Sequence, residues 1–107
     1  MFKEIKAKFD VVGLTERGNE YHYHFVIQRK ESGANNYGDH SCHTLDLYDQ
    51  NKDNKWLTDY IYDTRYDHIS TDKNKWVKEW KDFIKREWLN VQSIDLIEFE
   101  ENLVEER

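Results

Sequence analysis

Two groups of residues in this chain have the types and spacing to do chemistry. The first is rich in histidine: His22 and His24 are two residues apart, and His40, Cys42 and His43 lie close together. The second is acidic: Asp46, Asp49, Asp53, Asp59, Asp63 and Asp67 recur at short intervals, interrupted by Trp56, Tyr60, Tyr62 and Tyr66. Neutral imidazole and thiolate are zinc ligands of tetrahedral sites. His22 and His24 on one strand face, joined by Cys42 or His43 from a neighbouring strand, would supply such a set. The spacing matches no established zinc signature, and surface histidines on the outer face of a sheet account for the same residues.

Other templates fail on particular positions. Asp49, Asn51 and Asp53 have the spacing that opens a calcium loop, but the positions that need glycine and a bidentate glutamate hold Asn54 and Tyr60. The chain has no GxSxG elbow, no phosphate-cradling glycine loop and no HExxH motif. Asp63, Asp67 and His68 would be the ligand cluster of a small metal-dependent nuclease, and Cys42 beside His43 would be a thiol nucleophile. Neither is a complete catalytic template, so a binding protein is the first expectation and a nuclease the rival. No cofactor is implied.

These residues need a scaffold. Residues 2–12 alternate, with Ile5, Ala7, Phe9 and Val11 on one side and Glu4, Lys6, Lys8 and Asp10 on the other, which predicts a half-buried strand. Gly18 and Asn19 supply turn chemistry, and residues 21–28 alternate again, with Tyr21, Tyr23, Phe25 and Ile27 inward. A Gly- and Asn-containing loop over 31–40 precedes a third strand at 42–48, with Leu45 and Leu47 inward. Residues 56–66 have both a two-residue and a four-residue periodicity. Their Tyr, Thr and Ile content and the polar turn before them favour a strand, with the tyrosines and Trp56 on one face and Asp59 and Asp63 on the other.

Trp76, Val77, Trp80, Phe83, Ile84 and Trp88 follow at helical spacing, predicting an amphipathic helix over 75–89 capped by Thr71 or Asp72. Residues 94–99 have strand length, and 100–107 read as an acidic, frayed tail. The expected fold is a single α+β domain over 1–107. A small antiparallel sheet of about five strands, in the order β-β-β-β-α-β, carries one Trp-rich helix on one face. With 15% aromatic residues, the chain can build a core despite only 37% apolar content.

Charge narrows the partners. A net charge of −6 argues against binding a nucleic-acid backbone, whose affinity comes from Lys and Arg. The lysines of the predicted helix are interleaved with Glu79, Asp82 and Glu87, as on an ordinary solvated face. The tyrosines of 56–66 suit base stacking or a protein interface, but core packing under the helix explains them most simply. From Asp46 to Asp72 there are seven aspartates against Lys52, Lys55 and Arg65, which makes this the region best suited to a basic partner. Cys42 is the only cysteine, so no intramolecular disulfide can form. No segment has the apolar length of a membrane span, and a soluble, cytoplasmic protein is expected. An exposed edge strand would offer a route to a homodimer.

A small, acidic, aromatic-rich, proline-free α+β chain without an enzyme motif resembles accessory proteins of phages and mobile elements. Among these it resembles the anti-CRISPR proteins that inhibit the RNA-guided nuclease of type II systems. The resemblance is one of overall character across the whole chain, so it transfers no residue roles. It implies a bacterial host cell and inhibition of a type II CRISPR effector nuclease by occupancy rather than chemistry. An acidic protein would cover a surface that holds guide RNA or DNA through Lys and Arg. The expected contact set is Asp46, Asp49, Asp53, Asp59, Asp63, Asp67 and Tyr66, with Tyr37 and Tyr48 as further aromatic contacts at its rim.

Overall fold

The computed structural model of the chain describes residues 2–31, 41–63 and 70–105. Five strands and one helix follow in the order β1 (Phe2–Leu14), β2 (Glu20–Glu31), β3 (Ser41–Asp49), β4 (Lys55–Asp63), α1 (Lys73–Glu87) and β5 (Val91–Val104), with a 3-10 turn at Gln50–Lys52. The strands form one antiparallel sheet in the spatial order β4-β3-β2-β1-β5. The α+β class, the strand count and the order along the chain are those the sequence predicts.

Alternation decides what each face does. Ile5, Ala7, Phe9 and Val11 of β1, Tyr21, Phe25 and Ile27 of β2, and Leu45 and Leu47 of β3 are buried on one side. Trp76, Trp80 and Ile84 recur every fourth residue along α1 and are buried against that side. Asp72 caps the helix by accepting from the Lys75 backbone N–H at 3.3 Å. At the other end Trp88 donates its backbone N–H to Ile84, and Asn90 adopts a positive φ of 46° that turns the chain into β5.

The tyrosines of β4 meet the helix as predicted. Tyr62 lies edge-to-face with Phe83 at 5.2 Å between ring centroids, and Tyr60 with Trp88 at 6.0 Å. Tyr60 sits at the margin and stays 42% exposed.

One predicted boundary and one predicted facing are corrected. Residues 100–104 are not a frayed tail, because β5 pairs with β1 as far as Phe2 opposite Val104. The backbone ladder holds this segment in place, and opposite charges accompany it: Glu100 lies opposite Lys6, and Lys3 Nζ is 3.2 Å from Glu101 Oε1. Trp56 does not share a face with the tyrosines. Leu47 pairs with Thr58 but Tyr48 pairs with Trp56, so Leu57 is the extra residue of a bulge. One inserted residue reverses the facing of everything beyond it.

Gly13 is the position where the sheet most needs a missing side chain. It pairs with Tyr21, whose ring lies over it, so that an added Cβ would stand 2.2 Å from Tyr21 ring atoms. The same ring stacks on Tyr23 at 4.8 Å, and its hydroxyl donates to the Leu89 carbonyl at 2.7 Å. Gly13→Ala must expel the ring and break both contacts. We expect a loss of about 1–3 kcal/mol, the range for overpacking, seen as a lower urea midpoint with unchanged slope. An unmoved midpoint would show that the ring does not need this space.

Candidate functional site

Among the described residues the helix covers one face of the sheet and no element covers the other, here called the open face, and the predicted site residues divide between the two. Asp46 and Asp59 lie directly opposite each other on the open face. Like charges in opposed positions destabilise a sheet, and among the described residues neither carboxylate has a salt-bridge partner. The bulge that corrects Trp56 places it here: its Nε1 donates to Asp46 Oδ1 at 3.3 Å, and the side chain is 50% exposed. Ile61, opposite Thr44, is 72% exposed on the same face. A depression of about 300 Å³ borders this end, lined by Lys6, Lys8, Val26, Asp46, Tyr48 and Glu98 among others. Lys8 lies opposite Glu98 across β1 and β5, so cations near the middle of the sheet already have anionic neighbours.

Asp53 is exposed in the turn before β4, with a positive φ of 55°. Asp49 is corrected as a contact residue. It is buried, and its Oδ1 accepts from the Asn51 backbone N–H at 3.0 Å, so its carboxylate caps the 3-10 turn. The backbone of Asp63 pairs with Cys42 in the β3–β4 ladder. Tyr37, Tyr66 and Asp67 lie outside the described residues.

The predicted zinc set does not assemble. His22 and His24 are on the open face near the start of β2, whereas Cys42 pairs with Lys30 at its far end. His43 is on the opposite face, fully buried, and accepts from Trp76 Nε1 through its Nε2 at 3.0 Å. Its place in the core is readable from alternation, since it is in phase with Leu45 and Leu47. Burial, with the nearby Arg29 guanidinium adding to it, lowers its pKa to about 4.

His22 and His24 instead meet a residue that spacing could not nominate. Asp10 pairs with His24 across β1 and β2, and its Oδ1 is 2.5 Å from His22 Nε2 and 3.2 Å from His24 Nε2. Burial is the main influence on His24 and lowers its pKa; Lys8 and His22 add to that, against the opposing pull of Asp10.

Family models, curated proteins and solved structures give no match to this chain. The functional reading therefore rests on the residues themselves and on the overall character of the chain. No helix among the described residues is long and apolar enough to cross a membrane.

Proposed function

We propose that this chain is a non-enzymatic binding protein whose open sheet face, at the β3–β4 end, occupies a basic surface of a nucleic-acid-binding protein. The partner to test first is the one the resemblance implies, a type II CRISPR effector nuclease before or during guide RNA or DNA loading. The observation that carries the reading is the opposed pair Asp46 and Asp59 beside the exposed Trp56. Two carboxylates facing each other cost stability in the free protein. A partner arginine or lysine placed between them removes that repulsion, and an aromatic neighbour is a common interface anchor. Electrostatic steering makes such an association fast and sensitive to salt.

The test is binding of the purified chain to the guide-free effector, with target cleavage as the functional readout. A stoichiometric complex is expected, weakening as salt rises. Asp46→Lys combined with Asp59→Lys is expected to reduce affinity at least about 30-fold, near the lower end of the cost of breaking an interfacial charge pair. Circular dichroism would confirm that the double variant remains folded. Full inhibition by that folded variant would overturn the proposed surface. Cleavage of guide RNA by the chain itself, restored by a divalent ion to a metal-free preparation, would replace the binding reading with the nuclease one.

A further inference from the structure

The open face carries a second constellation, built from β1 and β2 rather than β3 and β4. Asp10 Oδ1 and one ring nitrogen each of His22 and His24 lie within 4.8 Å of one another, and all three residues are half-buried. Strand alternation puts the two histidines on one side of β2, and the β1–β2 register sets Asp10 beside them. His24 is also held from behind. Its Nδ1 lies 2.7 Å from the side-chain amide of Gln50, which is itself hydrogen-bonded to Asn54 Oδ1. An amide on the far nitrogen of an imidazole is the outer support that fixes a metal-ligating ring and aims its other nitrogen at the ion. Asp95, opposite Asp10 on β5, brings a further negative charge to the same face.

We propose that Asp10, His22 and His24 form a binding site for one divalent transition-metal ion, with Asp10 Oδ1 and the Nε2 atoms of both histidines as its ligands. Two imidazoles and one carboxylate suit Zn²⁺, Co²⁺, Ni²⁺ or Cu²⁺ better than the all-oxygen cations Ca²⁺ and Mg²⁺. At ordinary Zn–N and Zn–O lengths, a tetrahedral ion separates its donor atoms by about 3.3 Å. The Asp10–His24 distance of 3.2 Å already meets this. The His22 Nε2 must draw back from Asp10 by less than about 1 Å, and its distance to the His24 donor, already within 4.8 Å, must settle at the same separation. On binding, each Nε2 presents its lone pair and the proton moves to Nδ1. The Gln50 amide then turns its oxygen to accept from His24, and the Asn54 amide turns with it to donate its Nδ2 to the same oxygen. Three protein ligands leave a position for water or for a group from a binding partner. The site is separate from the Asp46–Asp59 surface and does not depend on the proposed function.

The test is titration of the metal-free full chain with Co²⁺, followed by displacement with Zn²⁺. One equivalent is expected to develop the visible absorption of a low-symmetry Co²⁺ site, and Zn²⁺ to abolish it. His22→Ala, His24→Ala and Asp10→Asn are each expected to weaken binding by more than 10-fold. Gln50→Ala should weaken it by about 10-fold, in the range seen for outer-shell groups. Cys42→Ser should leave it unchanged. A measurement on the unaltered chain covers the case of variants that do not fold: substoichiometric Co²⁺ should shift or broaden the ring proton signals of His22 and His24 before those of the other histidines. Failure to bind one equivalent, equal binding by the His22→Ala/His24→Ala double variant, dependence on Cys42, or first perturbation at another histidine would overturn the proposal.

Discussion

Trp76→Ala is expected to remove about 3–5 kcal/mol of folding stability, the range for deleting a buried aromatic side chain. Trp76 is fully buried at the centre of the helix stripe. Its ring contacts Trp80, Phe99 and His43 at centroid distances of 6.2, 5.9 and 5.9 Å, and so joins α1 to both β5 and β3. Alanine leaves a cavity among these groups and deprives the buried His43 Nε2 of its indole donor. Native domains have only about 5–15 kcal/mol in total, so this single change takes a third or more of the stability of a weakly stable domain. The matching fall in melting temperature is roughly 15–25 °C for a domain of this size.

Two milder substitutions separate packing from hydrogen bonding. Trp76→Phe keeps much of the aromatic bulk but removes the N–H donated to His43, and should still cost about 0.5–1.5 kcal/mol through the lost hydrogen bond. Trp80→Phe should cost less, because Trp80 Nε1 is buried without a hydrogen-bond partner among the described residues. Equal losses from the two Trp→Phe changes, read from urea midpoints, would refute the role given to the Trp76–His43 bond.

Acid should weaken this protein in a window set by His43. Its Nε2 accepts a hydrogen bond in the core, so a proton on that atom must displace the Trp76 donor. Burial and Arg29 bring its folded-state pKa to about 4, below the 6.5 of an unperturbed histidine. Above pH 6.5 the imidazole is neutral in both states and its contribution to stability is fully present. As pH falls from 6.5 towards 4 the unfolded chain binds a proton that the folded chain refuses, so stability falls. Lowering the pKa from 6.5 to about 4 corresponds to a total of about 3 kcal/mol.

Carboxylates and other histidines titrate nearby, so the informative quantity is the difference from a His43→Gln variant. Its amide oxygen can accept from Trp76 and does not titrate. The wild type should lose more stability than this variant between pH 6.5 and pH 4. Parallel pH profiles would show that the indole–imidazole bond does not govern the acid response.

How much of this was legible in the sequence varies by element. The Ile5–Val11 alternation, the Tyr21–Ile27 alternation and the tryptophan stripe each encode a face, and the structure covers those faces as expected. The strand reading of the tyrosine-rich segment holds for Lys55–Asp63. The end of β5 was hidden because it is an edge strand with carboxylates at Glu98, Glu100 and Glu101. Its partner is β1, distant in sequence, where Lys3, Lys6 and Lys8 offset these carboxylates. Alternation puts Trp56 on the wrong side because periodicity does not reveal a bulge.

The functional residues were harder still. Asp49 looks like its acidic neighbours but folds back on its own turn, a local hydrogen bond that composition does not distinguish from exposure. By alternation Asp10 is one more outward charge, and only the strand register brings it to His22 and His24. Sequence gives the face on which a residue lies; the residue opposite it depends on turn length and bulges.

The position of β5 beside β1 also shapes the order of assembly. The strands from β1 to β4 are neighbours in chain order, so they can zip together through short-range contacts. The chain must then carry α1 back across the sheet before β5 can dock against the strand where the sheet began. This raises the contact order and places folding in the slower, millisecond-to-second regime of domains rich in β-structure. Until that step, one edge of β1 and the aromatic face of the sheet are uncovered, a template for mispairing and aggregation. The β1–β5 pairing therefore closes the longest loop between neighbouring strands, and changes along β5 are expected to act on the folding rate as well as on stability.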